Sequence, residues 1–191
     1  MRIKIALSLL FCAFCATFQP LYAGSFWSAP APAKLGPAHF HTIHLISGAK
    51  DSIETDDGTY WHISSHDAQK LSTWRKGDLF IITPNASVIS HHRYILNNQR
   101  NGQKIEANIH LGPTPKNNHT HWVITIDWAA SRIYFENGML WEVSAADSAK
   151  FLEWQVGDYA VIGTNDSLIS SHEHILINVN RNRHLRTNLI R

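Results

Sequence analysis

Residues 53–63 read Ile53-Glu-Thr-Asp-Asp57-Gly58-Thr-Tyr-Trp61-His-Ile63, and residues 133–143 read Ile133-Tyr-Phe-Glu-Asn137-Gly138-Met-Leu-Trp141-Glu-Val143. Asp-Gly or Asn-Gly between two runs of strand-forming residues is a hairpin signal, because glycine supplies the positive φ that the turn requires. A two-residue turn would set Trp141 opposite Tyr134 and leave Ile133 against Glu142. A three-residue turn with a bulge at Gly138 pairs Ile133 with Trp141 and Phe135 with Met139. It also sets Arg132 across from Glu142, an opposite-charge pair on the other face. The bulged turn sorts the two faces and is the predicted geometry.

The two stretches lie 80 residues apart, and the similarity extends outward at that offset. Trp74 meets Trp154, Gly77-Asp78 meets Gly157-Asp158, Asn85 meets Asn165, and Ile95-Leu96 meets Ile175-Leu176. From His39/His119 to Asn108/Asn188 there are 23 identities in 70 ungapped pairs. Similarity at one fixed period is a duplication, and two copies of this size make two small domains or one pseudo-symmetric pair.

After each hairpin, Ser64-Ser-His-Asp67 and Ser144-Ala-Ala-Asp147 fit a capping box, with serine taking a free amide and the acid reaching back. A short helix to Trp74 or Trp154 follows. Leu71 and Trp74, like Phe151 and Trp154, stand at helical spacing and should cover the sheet. Gly77 and Gly157 then end the helix where a positive φ is needed. Strands are expected at 79–82, 94–97 and 105–109, and at 159–162, 174–177 and 185–190. The fold class is therefore all-β: two tandem copies of a small SH3-like or OB-like β-barrel, each with one short helix. The repeats occupy 39–112 and 119–191, joined by a linker at 113–118 that contains Pro113 and Pro115.

The shared Asp/Asn-Gly-x-x-Trp and the later Trp-x-x-Gly-Asp resemble those of exported bacterial proteins carrying two tandem small β-barrel repeats. The resemblance spans nearly all of residues 39–191. It implies a fold and export, and it brings no assigned activity with it.

Residues 1–23 have the layout of a secretory signal: Arg2 and Lys4, an uncharged run from Ile5 to Phe18, then Pro20 and a small residue at Ala23. That run is too short to span a bilayer. Residues 24–38, with Pro30, Pro32 and Pro37 among alanines, have linker composition. Removing the signal leaves 168 residues with 15 basic and 15 acidic side chains, no cysteine, and all 13 histidines. A disulfide scaffold and a thiolate zinc site are excluded. With no basic excess, nucleic acid is not an expected partner. No later stretch reads as a transmembrane segment. The expected location is the periplasm or the secreted fraction.

Histidine is the unusual resource. His39-Phe-His41 matches His119-Thr-His121, His92 matches His172, and copy two adds His174. On a strand, residues two apart share a face, so two such pairs on neighbouring strands could offer imidazoles to one cation. No cofactor is required by any motif, but zinc or copper would suit such ligands. His119, His121, His172 and His174 form the first candidate set, and His39, His41 and His92 the second. These side chains would also gain charge in a mildly acidic compartment.

Among seven tryptophans, Trp61, Trp74, Trp141 and Trp154 occupy equivalent, core-like places. Trp27, Trp122 and Trp128 have no partner in the other copy and are the candidates for stacking on a carbohydrate or cell-wall polymer. No Gly-x-Ser-x-Gly, phosphate loop or His-Glu-x-x-His is present in the sequence, so no catalytic residue is assigned. Asn85-Ala-Ser87, Asn118-His-Thr120 and Asn165-Asp-Ser167 suit turns. Arg181, Arg183, His184, Arg186 and Arg191 read as a solvated last strand without a nearby acid. The functional expectation is an exported, non-enzymatic binding or structural protein for a protein or cell-envelope component. A histidine-based metal binder and a carbohydrate-binding module are the alternatives.

Overall fold

The computed structural model describes residues 38–115 and 117–191. The predicted signal, the linker through residue 37 and Trp27 lie outside the described residues. Copy one contains β1 (His41–Ile46), β2 (Ser52–Thr55), β3 (Tyr60–Ile63), β4 (Leu79–Pro84), β5 (Tyr94–Asn98) and β6 (Lys104–Leu111). Copy two repeats them as β7 (His121–Asp127), β8 (Arg132–Phe135), β9 (Leu140–Val143), β10 (Tyr159–Thr164), β11 (His174–Asn178) and β12 (Arg183–Leu189). Each set of six antiparallel strands closes into a barrel, in the orders β1-β2-β3-β6-β5-β4 and β7-β8-β9-β12-β11-β10. A 3-10 turn runs into one short helix per copy, α1 (Ala68–Leu71) and α2 (Ser148–Phe151). The all-β tandem-barrel expectation is met.

The hairpin adopts the bulged turn. Ile133 pairs with Trp141 and Arg132 with Glu142, and the Phe135 amide donates to the Met139 carbonyl at 2.9 Å. Gly58 and Gly138 both carry positive φ, 82° and 85°. Trp61 and Trp141 are buried at the centres of their barrels. Truncation of either to alanine removes the largest side chain of its core, a change of roughly 3–5 kcal/mol.

The two turns differ in what lies above them. The linker folds back on the first, where the Thr114 amide donates to the Asp57 carbonyl at 2.9 Å and Asn117 Nδ2 to the Asp56 carbonyl at 2.8 Å. A Cβ on Gly58 would collide with the Thr114 hydroxyl and approach its amide nitrogen to 2.9 Å, whereas a Cβ on Gly138 meets open space. Gly138→Ala should therefore cost only the left-handed conformation, about 1 kcal/mol, and Gly58→Ala at least about 1 kcal/mol more. Equal losses in urea melts of the two variants would contradict this account.

The capping box does not form. Neither the Ser64 nor the Ser144 side chain makes a cap hydrogen bond. The acid turns instead toward the last strand of its barrel: Asp67 Oδ2 accepts the Glu106 amide at 2.7 Å and Asp147 Oδ2 the Arg186 amide at 2.9 Å. The second acid shared by the two copies does hold its turn. Asp78 accepts the Arg75 amide and Asp158 the Gln155 amide, each at 2.9 Å, after glycines at positive φ.

The barrels are packed together within one compact unit. β5 alternates buried with partly exposed residues, but all five residues of β11 are buried. Ala160, Ile162 and Leu176 fill the core of barrel two, while the intervening Val161, Ile175 and Ile177 join the apolar cluster of barrel one. The outer face of β10–β11 is thus a second hydrophobic surface. In copy one, the polar residues Asn97 and Gln99 occupy the places of Ile177 and Val179. Gly163 lies at the closest approach, where an added Cβ would stand 2.7 Å from the Ile82 carbonyl oxygen.

Candidate functional site

Packing the barrels creates a cleft of about 560 Å³ that neither has alone. One wall is the 85–93 loop of barrel one, contributing Ser87, Ser90, His91, His92 and Arg93. The other is Lys150 of α2 with Arg183 and His184 of β12. Among the described residues, no carboxylate lines it.

The loop wall is fixed by side-chain hydrogen bonds. Asn85 caps the loop, accepting the Ser87 amide at 3.0 Å and donating to the His92 carbonyl at 2.9 Å. Glu106 of β6 takes Asn85 Nδ2 at 3.0 Å and the Ser90 hydroxyl at 2.7 Å. Asn108 accepts the Arg93 amide and donates to the His91 carbonyl. The Asn85 and Asn165 triplets are therefore turns, as expected. The same loop presents Val88 and Ile89 to solvent, and its copy presents Leu168 and Ile169.

On the other wall, the C-terminal basic stretch has acid partners, which corrects its reading as a strand without them. Buried Asp147 accepts Arg186 Nε at 2.7 Å and Lys150 Nζ at 2.9 Å. Burial opposes ionisation of this carboxyl, but its bonds to Arg186 and Lys150 outweigh burial and hold it below the usual carboxylate range. Arg183 pairs with Glu153 at 2.9 Å. These acids stand 39 and 30 residues away in sequence, so only the barrel closure brings them near. Glu106 occupies in copy one the place of Arg186 in copy two. The same position thus pins a loop in one barrel and neutralises a buried acid in the other.

His184 lies across the joint, edge-on to Tyr94 with ring centroids 5.8 Å apart. Burial first, then the nearby Lys150, Arg186 and Arg93, lower its pKa from 6.5 to about 4, against the opposing pull of Asp147. A histidine with a lowered folded-state pKa costs stability as pH falls below its unfolded value and until it protonates in the fold. Between pH 7.5 and pH 5, His184 should therefore remove about 1–2 kcal/mol, and His184→Gln should shrink that loss. An identical pH dependence in the variant would show that His184 does not carry it.

The structure divides the candidate histidines differently from the sequence grouping. His174 occupies the place of Tyr94, in the core of barrel two, edge-on to Trp141 at 5.3 Å. His172 lies on the loop before β11, its amide bound by Ser170 Oγ and its carbonyl by Asn165. His92 lies near Glu106, Nδ1 to Oε2 3.8 Å. The two His-x-His pairs, however, meet: His39, His41, His119 and His121 line one hollow of about 270 Å³ at the joint, together with Asp56. Burial, and then His41, His121 and His174, lower the His39 pKa to about 3. Among the described residues, no three histidine or acidic side chains stand grouped tightly enough to hold an ion as they are.

Trp122 is partly buried against Tyr159, and Trp128 is half-exposed over Phe151, ring centroids 4.8 Å apart. Arg93, Lys150 and Asp56 belong to no motif in the sequence, and Arg183 and His184 stand there only within the C-terminal basic stretch. No helix among the described residues is long and apolar enough to cross a membrane. Comparison with protein-family models, curated proteins and solved structures finds no match.

Proposed function

We propose that this chain is an exported, non-enzymatic binding protein whose inter-barrel cleft takes an anionic component of the cell envelope. The observation that carries this reading is the lining of the cleft: Arg93, Lys150 and Arg183 with serine and histidine side chains, and no carboxylate among the described residues. Lys150 and Arg183 are partly neutralised by Asp147 and Glu153. Arg93 has no ion pair among the described residues, and it is the cation most available to a ligand. The loop is held rigid by Asn85, Glu106 and Asn108, so little ordering entropy is lost on binding. The exposed aliphatic pairs at 88–89 and 168–169, kept in both copies, support a macromolecular surface as the target. The signal-like N-terminus supports export.

Titration calorimetry with inorganic phosphate and with oligomers of glucuronic acid tests the reading. Binding that weakens with added salt, and falls about tenfold or more in an Arg93→Ala, Arg183→Ala double variant, is expected. Failure of both probes to bind, or equal binding by the variant, would rule it out.

A further inference from the structure

The histidine-lined hollow carries a separate argument, independent of the anionic cleft. His41 Nε2 lies 2.7 Å from the Ile162 carbonyl oxygen. A carbonyl only accepts, so Nε2 bears the proton, and in the neutral ring Nδ1 is left as a lone pair. That lone pair stands 4.0 Å from Asp56 Oδ1. Asp56 Oδ1 is buried and has no hydrogen-bond partner among the described residues. In that neutral form the Nδ1 lone pair and the Asp56 carboxylate oxygen face each other as two acceptors. Their separation is too long for a hydrogen bond, and a modest approach of the two side chains would bring the atoms to the roughly 3.3–3.6 Å that two tetrahedral ligands about 2.0–2.2 Å from one cation require.

The surroundings fit a metal as well. The Ile162 carbonyl fixes the His41 tautomer, as an outer-shell acceptor does for a ligating imidazole. His121 Nδ1 is held by Glu136 Oε1 at 3.0 Å, and Glu136 Oε2 accepts the Trp122 amide at 2.9 Å. An anchored carboxylate, with Asn137 Nδ2 at 3.2 Å from the same Nδ1, thus orients the His121 ring and leaves Nε2 for a further partner. The His39 ring lies edge-on to His41 with centroids 5.0 Å apart, which sets a second imidazole beside the first.

We propose that this hollow is a divalent transition-metal site, zinc or copper, built on His41 Nδ1 and Asp56 Oδ1 and completed by His39 and His121. Loading includes a side-chain rotation of His39 or His121, because the donors are not already gathered around one point. The site takes His39, His41 and Asp56 from the first repeat and His121 from the second, so the ion bridges the two barrels and stabilises their joint by linkage.

The test is calorimetry of the EDTA-stripped protein with zinc chloride and, separately, copper sulfate, alongside thermal melts with and without metal. One ion per chain, a raised melting temperature, and a loss of affinity of about tenfold or more in Asp56→Asn are expected. His121→Ala is the second variant should Asp56→Asn fold poorly. His172→Ala, which alters a histidine outside the hollow, should bind like the unaltered protein. No binding of either metal, binding unchanged in both Asp56→Asn and His121→Ala, or equal loss in His172→Ala would overturn the site.

Discussion

Replacing Asp147 by alanine should cost about 3 kcal/mol of folding free energy. The carboxylate is nearly fully buried and accepts from Arg186 Nε, Arg186 Nη2, Lys150 Nζ and the Arg186 amide. Its removal strands two cations and an amide at the seam between α2 and β12. The cost falls at the lower end for a broken buried pair, because Arg186 and Lys150 are partly exposed and can take water. Asp67 is the internal comparison. Among the described residues it takes only Lys70, whose ammonium is half-exposed, and the Glu106 amide, so Asp67→Ala should cost about 1–2 kcal/mol. Because bonding holds the Asp147 carboxyl below its unfolded value, its contribution is complete at neutral pH and is lost only in strong acid. Urea unfolding at pH 7 measures both variants, and a larger loss for Asp67→Ala would contradict the account.

Gly163→Val should have a comparable or larger effect, about 3 kcal/mol or more. An added Cβ would meet the Ile82 carbonyl at 2.7 Å and Ile175 Cγ1 at 2.8 Å. The first neighbour is backbone of the other barrel, which cannot rotate away. Valine there pushes β10 off β4 and opens the apolar joint. Both the cleft and the histidine hollow draw residues from both barrels, so one substitution outside either lining should weaken anion and metal binding together. Hydrogen exchange should locate the loosening at β10–β11 and leave the β2–β3 hairpin protected. A variant that melts and binds like the original would show that the barrels do not depend on this contact.

Local chemistry made much of the fold legible. Asp-Gly and Asn-Gly specify a tight turn, and the only register that sorts the Ile133 and Trp141 face from the Arg132 and Glu142 face is the one observed. Gly77 and Gly157 mark positive φ because few other residues adopt it at low cost. The capping box was misread because Ser64 and Asp67 satisfy a local pattern, while the Glu106 amide that competes for Asp67 is 39 residues away. The spatial grouping of the histidines was not legible in the sequence for a related reason. An offset of 80 shows which positions are equivalent and says nothing about which faces meet. One available signal was that His174 aligns with Tyr94, a core aromatic, and it packs edge-on to Trp141 in the same way.

By itself the sequence determined two copies of one barrel, their hairpins, their helix-terminating glycines and their tryptophan cores. These depend on backbone preferences and on alternation over a few residues, and both copies meet the same local demands. Only the tertiary structure decided that the outer face of β10–β11 is a second hydrophobic surface that binds the barrels together. From that one joint come the basic cleft and the meeting of His41, Asp56 and His121. The physical reason is that burial, charge pairing and ligand geometry depend on separations in space, which the closure and docking of the barrels set.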